Sequence, residues 1–191
     1  MNYAGDIAKA PSNDRLLGQL QNVFRILAKP DSELREKAQK LRQEISCTWR
    51  NQAAHGKWFP WPITVACRGG RGLRGVDWRP QGMLGVLGYH VGETQPTRQE
   101  IRRCILEYAF ECDLPPVNDP AYNEEWGEPR TAQRLYKLAN TLAALIRNAK
   151  RRDAVSMEGA VNDWERDLLF LYAKYYVDFF HFGWPATSLQ H

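Results

Sequence analysis

Apolar residues recur at helical spacing in the first 55 residues, in two blocks separated by Lys29-Pro30. The blocks predict helices over residues 13–28 and 31–49, because the residue before a proline disfavours the α region and ends the first helix. The apolar positions are Leu16, Leu20, Val23, Phe24 and Leu27 in the first block and Leu34, Ala38, Leu41 and Ile45 in the second. Together the blocks predict an αα-hairpin over residues 1–55.

Three further helical patterns follow in the second half of the chain. They predict helices that begin near Thr97 and Thr131, and a last helix over residues 157–180. Thr97 and Glu100 have the spacing of a capping box, in which the threonine hydroxyl caps the helix and the glutamate bonds back to the threonine amide. Between the first two of these helices, residues 113–129 contain four prolines and predict a loop.

The stretch from residue 57 to residue 82 breaks the helical pattern. It holds three tryptophans and three prolines, and it predicts an irregular segment or a small β-hairpin closed around Gly69-Gly70. The predicted fold class is therefore mainly α, a single domain of about five helices with this small insert. Residues 56–191 are expected to form a loop-rich segment and a helical core that packs with the N-terminal hairpin.

Composition excludes wholesale disorder and shows where the positive charge lies. The 191 residues are 43% hydrophobic and 12% aromatic, which is enough for a packed core. The net charge is +4, but residues 56–104 hold eight Lys and Arg against three Asp and Glu, whereas residues 105–191 hold nine against 13. An electropositive middle of the chain favours an anionic partner.

The four cysteines show no C-x-x-C spacing, and the chain opens without a signal-peptide pattern. No apolar run approaches the roughly 18 residues of a membrane span. These features predict a cytoplasmic protein with free thiols, without membrane attachment and without a bound cofactor or metal.

Ten basic residues are candidates for contacts with nucleic-acid phosphates. Four lie in an arginine–glycine loop, where glycine permits close approach of the backbone and arginine supplies paired donors. The candidates are Arg68, Arg71, Arg74 and Arg79 in the loop, Arg98, Arg102 and Arg103 at a helix start, and Lys150, Arg151 and Arg152 at a helix end. An ordinary solvated loop explains the first group equally well, and complementation of the helix dipole explains the last.

The helix that carries Arg98 suggests a second route to nucleic acid. A short helix or turn at residues 83–87, a glycine-containing turn and an arginine-bearing helix have the outline of a helix-turn-helix reader, of DNA rather than RNA. Arg98 and Arg102 are four residues apart, which predicts that they share one face, with Arg103 beside them. The turn is longer than in typical readers, and a core helix with a charged outer face explains the same residues.

Two other functions remain open from the sequence. The aromatic end of the last helix, YAKYYVDFFHFGW, is typical of a surface for protein interaction or self-association. An enzyme is less favoured, because no nucleophile–base pair or metal-ligand spacing supports one and no catalytic residue is assigned. Carboxylates that would serve a hydrolase are Glu124, Glu125, Asp163 and Asp167.

Several short motifs occur in one order between residues 57 and 180. They include Leu87-Gly-Tyr-x-Val-Gly92, Glu125-Trp-Gly-x-Pro129 and Asp163-Trp-Glu-x-Asp-Leu168. This combination resembles a module of uncharacterised bacterial and phage-associated proteins. The resemblance implies that residues 57–180 form one unit, and it implies no established activity.

Overall fold

The computed structural model describes residues 13–31, 33–59, 82–92, 96–152, 156–177 and 180–188. Across these ranges the chain is mainly helical, with seven α-helices and no strand. The helices are α1 (Asn13–Leu27), α2 (Arg35–Ala54), α3 (Met83–Val86), α4 (Gln99–Glu111), α5 (Pro120–Trp126), α6 (Ala132–Arg152) and α7 (Glu158–Leu171). The predicted mainly α-helical domain is confirmed. The predicted β-hairpin is not supported, and most of that insert, residues 60–81, lies outside the described residues.

Helix α4 is the centre of the fold, since it packs against α1, α3, α6 and α7. Its buried face carries Ile105, Leu106, Tyr108 and Ala109, none of which is more than 1% exposed. These positions are three and four residues apart, so the helical repeat turns them toward the same core. Charged groups at the start of α4 are therefore held on a rigid element.

The N-terminal hairpin is joined to this core rather than standing apart. Helices α1 and α2 pack on each other, and the ring of Phe24 in α1 meets that of Tyr108 in α4 edge-to-face at 5.6 Å. Glu111 then links α2 to the segment that follows α7. Its carboxylate accepts hydrogen bonds from Arg42 Nη2 at 2.9 Å and from the Tyr175 hydroxyl at 2.5 Å. Burial alone would raise the pKa of Glu111, but these two hydrogen bonds outweigh burial and lower its pKa.

A short helix replaces part of the loop predicted over residues 113–129. Asp119 caps α5, since its side chain accepts a hydrogen bond from the Tyr122 amide at 3.0 Å, and Pro120 is the first residue of the helix. Aspartate followed by proline is a helix-start signal, because proline needs no amide partner there. The proline content of this stretch therefore predicts a loop where part of it forms a helix.

The predicted capping box at Thr97 is wrong, whereas the cap at Thr131 is confirmed. The Thr97 hydroxyl donates to the Gly88 carbonyl at 2.8 Å, and α4 begins two residues later without a side-chain cap. The Thr131 hydroxyl, in contrast, accepts a hydrogen bond from the Arg134 amide at 3.2 Å. Thr97 therefore ties the turn after α3 to the start of α4.

Arg134 is buried at 4% exposure, with carbonyl oxygens as its hydrogen-bond acceptors. Its guanidinium donates to Trp126 and Gly127 at the end of α5 and to Ala109 and Cys112 at the end of α4. Burial lowers the pKa of Arg134 to about 10. One side chain thus satisfies the ends of two helices from the first turn of a third.

The chain after α7 folds back on the helices. Helix α7 continues as a π-helical segment, Tyr172–Tyr176, whose rings pack against Phe182 and Trp184. Arg147 Nη1 donates to the Ala186 carbonyl at 2.7 Å, which fixes this returning segment beside α6. Within the described ranges, no helix is both long and apolar enough to cross a membrane.

Candidate nucleic-acid interface

Arg102 is buried in an ion-pair network and does not lie on the surface. Its side chain is 3% exposed; Nε donates to Asp167 Oδ2 at 2.6 Å and Nη2 lies 3.0 Å from Asp163 Oδ1. The Tyr89 hydroxyl donates to the same Asp167 oxygen at 2.7 Å, and Arg102 Nη1 donates to the Thr97 carbonyl at 2.8 Å. The network joins α4, α7 and the turn that connects α3 to α4.

Burial is the largest influence on the pKa of two acidic groups in this network, Asp167 and Tyr89. It raises the pKa of Asp167, against the opposing effect of the hydrogen bonds from Arg102 and Tyr89. Burial also raises the pKa of Tyr89 well above its usual value, so this hydroxyl keeps its proton and remains a donor. Such a network favours one arrangement of the helices, because a buried charge without its partner is strongly destabilising.

The expectation that Arg98 and Arg102 share one outward face is therefore wrong. Arg98 precedes the first residue of α4 and has extended ψ of 147°, so the helical repeat does not relate the two side chains. Arg102 points into the core because two carboxylates from α7 compensate its charge there. Of the predicted contacts in this helix, Arg98 and Arg103 are exposed and Arg102 is not.

Arg103 lies on the α7 side of the helix. Its guanidinium carbon is 5.0 Å from the centre of the Phe170 ring, an arrangement that attracts the cation while leaving its hydrogen-bond donors free for solvent. Arg166 lies one helical turn before Phe170 on α7 and is also exposed. The sequence reasoning missed Arg166, because it stands among the acidic residues of that helix.

The last three residues of α6 are basic, and one of them is paired while the other two are exposed. Lys150 Nζ donates to Glu165 Oε1 at 2.7 Å, so its charge is already compensated. Arg151 and Arg152 are exposed and have no ion pair with another described residue. The two arginines remain available for an external anion.

Two ion pairs bring these groups to one end of the bundle. The Arg102–Asp163 pair holds the start of α4 beside the start of α7, and the Lys150–Glu165 pair holds the end of α6 there as well. We call the exposed arginines around this site the basic end: Arg98, Arg103, Arg151, Arg152 and Arg166. Two exposed carboxylates, Glu100 and Glu158, lie on the same helix starts, so the arginines outnumber them.

A cleft of about 330 Å³ opens beside the basic end. Helix α1, the turn after α3 and the start of α4 form its walls. Arg25, His90 and Arg98 are its exposed basic side chains, and Arg25 and His90 were not among the predicted contacts. Arg25 is separated from Arg98 by more than 70 residues, so no local pattern connects them.

The sequence also predicts phosphate contacts by four arginines between α2 and α3. Arg68, Arg71, Arg74 and Arg79 lie outside the described residues. Their proposed contact with phosphates stays a prediction from the sequence.

The carboxylates considered for a hydrolase do not form a metal site. Asp163 and Asp167 both face Arg102, and Glu125 is paired with Lys137. Across the described residues, no group of three or more His, Cys, Asp and Glu side chains has a geometry that would hold a metal ion.

Some apolar side chains of the C-terminal region stay exposed even though its aromatic rings pack together. Leu169 is 64% exposed and Val177 is 56% exposed, and both lie on the outer side of α7 and its continuation. Single exposed apolar residues are common, but two on one helical side favour contact with another surface.

No protein-family model matches the chain, and neither a curated protein nor a solved structure does. The resemblance of its motifs to bacterial and phage-associated proteins therefore stays a prediction.

Proposed function

We propose that this chain is a nucleic-acid-binding accessory protein that contacts phosphates through the basic end. The observation that carries the proposal is that five exposed arginines belong to α4, α6 and α7 or directly precede α4, and that two ion pairs hold these three helices together. We also propose that the protein is cytoplasmic. DNA is the ligand that the sequence favours, and of the three arginines in that prediction only Arg98 and Arg103 are exposed.

The exposed arginines suit phosphates because of their chemistry and because none of them forms an ion pair with another described residue. A guanidinium donates two parallel hydrogen bonds to a phosphate and stays charged at every accessible pH. Arg151 and Arg152 form no ion pair with a described residue, so phosphate binding would not require breaking one. Buried Arg102 positions the neighbouring groups and makes no contact with the ligand.

The proposal predicts that removing charge at the basic end weakens binding to every sequence alike. The variant Arg151→Gln/Arg152→Gln is expected to bind a labelled 20-mer duplex or single strand more weakly than the unmodified protein. Fluorescence anisotropy across a range of salt concentrations measures this. The slope of log affinity against log salt should fall by about 1 for each phosphate that the variant no longer neutralises, and so by about 2.

A matched control removes two charges from the opposite end of the bundle. Lys57 follows α2, and the Arg130 amide donates to the Phe110 carbonyl at the end of α4, so both are remote from the start of α4. Arg130 has a φ of 61°, which asparagine tolerates. The Lys57→Gln/Arg130→Asn variant should keep most of the affinity; an equal reduction in both variants would argue against a localised interface.

The exposed Leu169 and Val177 favour a second candidate function, self-association through the outer side of α7. If this surface forms a homodimer, light scattering should give twice the 22.1 kDa chain mass. The Leu169→Lys variant should return the mass to that of a single chain, because a buried lysine opposes association. A single-chain mass for the unmodified protein at high micromolar concentration would remove this candidate.

A further inference from the structure

The cleft beside the basic end has three features that determine what it accepts. Its floor is closed, because Phe24 and Leu87 are fully buried and Ile105 is 1% exposed. Its rim is basic, since Arg25, His90 and Arg98 line it and are exposed. None of the described residues that line the cleft carries a carboxylate.

Arg25 and Arg98 are not paired with any described group of opposite charge. Neither side chain forms a hydrogen bond or an ion pair with another described residue. Other arginines of the same helices differ, since Arg102 meets two carboxylates and Arg103 stacks on a ring. Two guanidinium groups beside one small concave site form a receptor for a compact anion of more than one negative charge.

A small cleft with two guanidinium groups on its rim discriminates between kinds of phosphate by their charge. An internal phosphodiester carries one negative charge and continues into the chain on both sides. A terminal phosphate carries about −1.5 to −2 charges at pH 7 and has three acceptor oxygens, so it matches two guanidinium groups. It also needs less room in a small cleft, because the chain continues on one side only.

We infer that this cleft binds the terminal phosphate of a nucleic-acid strand. The inference rests on the proposed function and narrows it, because the other four arginines of the basic end would hold the strand while Arg25 and Arg98 hold its phosphorylated end.

The test compares two single-stranded 20-mers of one sequence, one with a 5′-phosphate and one with a 5′-hydroxyl group. A third oligonucleotide carries the phosphate at its 3′ end. The unmodified protein should bind at least one phosphorylated strand about tenfold more tightly than the hydroxyl strand. In the Arg25→Gln/Arg98→Gln variant this ratio should fall to about one. Circular dichroism and the thermal midpoint should be unchanged, since both residues are exposed.

A competition experiment separates the terminal phosphate of a strand from free phosphate. If the cleft recognises the phosphate group, inorganic phosphate should lower the affinity for the phosphorylated strand to that for the hydroxyl strand. Chloride at the same ionic strength serves as the control and should lower both affinities alike.

The possible outcomes distinguish failure of the inference from failure of the proposed function. A ratio of one in the unmodified protein overturns the inference while the binding of both strands still supports the proposed function. A ratio that survives in the Arg25→Gln/Arg98→Gln variant also overturns it, because another site would then recognise the terminus. No binding of any strand at low salt overturns the proposed function together with the inference.

Discussion

Replacing Arg102 with methionine is expected to lower the free energy of unfolding by about 3–5 kcal/mol. Methionine keeps much of the side-chain volume, so the destabilisation reflects charge and hydrogen bonding more than a cavity. Asp167 is fully buried and would lose its main charge partner, and among the described residues only Tyr89 would still donate a side-chain hydrogen bond to it. Chemical denaturation with a constant slope measures the change.

Two further variants isolate the cause of this destabilisation. Arg103→Met changes the adjacent arginine, which is exposed and stacks on Phe170, and should cost at most about 1 kcal/mol. Adding Asp167→Asn to the Arg102→Met protein should recover part of the stability, because it removes the stranded charge. Equal destabilisation by the two single arginine variants would show that Arg102 is not a buried structural residue.

Replacing Arg134 with methionine is expected to have an effect of similar size, about 3–5 kcal/mol. The change leaves carbonyl oxygens at the ends of α4 and α5 without their donors, and an unsatisfied buried acceptor costs about 1–3 kcal/mol. Arg134→Lys should recover only part of the stability, since an ammonium group cannot span both helix ends. Thermal and denaturant unfolding both report the change.

The control for Arg134 lies on the same helix. Arg151→Met removes an exposed arginine from the last turn of α6 and should change stability by less than about 0.5 kcal/mol. If Arg134→Met is as mild as this control, water or other groups must replace its hydrogen bonds to the carbonyls.

The long helices could be predicted from the sequence because their apolar residues repeat at helical spacing. Five patterns correspond to α1, α2, α4, α6 and α7. The spacing selects buried residues in α1 (Leu16, Leu20, Val23 and Phe24) and in α2 (Ala38 and Ile45), but the predicted Leu34 precedes α2 and is 49% exposed. Helix α5 was missed because the four prolines around it were weighed more heavily than the local Asp119-Pro120 signal. The local sequence was therefore sufficient to predict this helix.

The candidate site could be predicted only in part, because long-range pairing decides which charges stay exposed. Arg102 and Arg103 are adjacent in sequence, yet only Arg102 meets Asp163 and Asp167, which follow more than 60 residues later. Nothing in the repeat of α4 distinguishes them. Arg25 was missed for the same reason, since its proximity to Arg98 depends on how α1 packs against α4.

Whether the basic end binds phosphates is decided by the salt dependence of nucleic-acid binding. For the unmodified protein, log affinity for a 20-mer should fall linearly with log salt, and the slope should be shallower by about 2 in the Arg151→Gln/Arg152→Gln variant. The Lys57→Gln/Arg130→Asn control should keep the original slope. Absence of binding at low salt, or one slope for all three proteins, would contradict a phosphate-binding basic end.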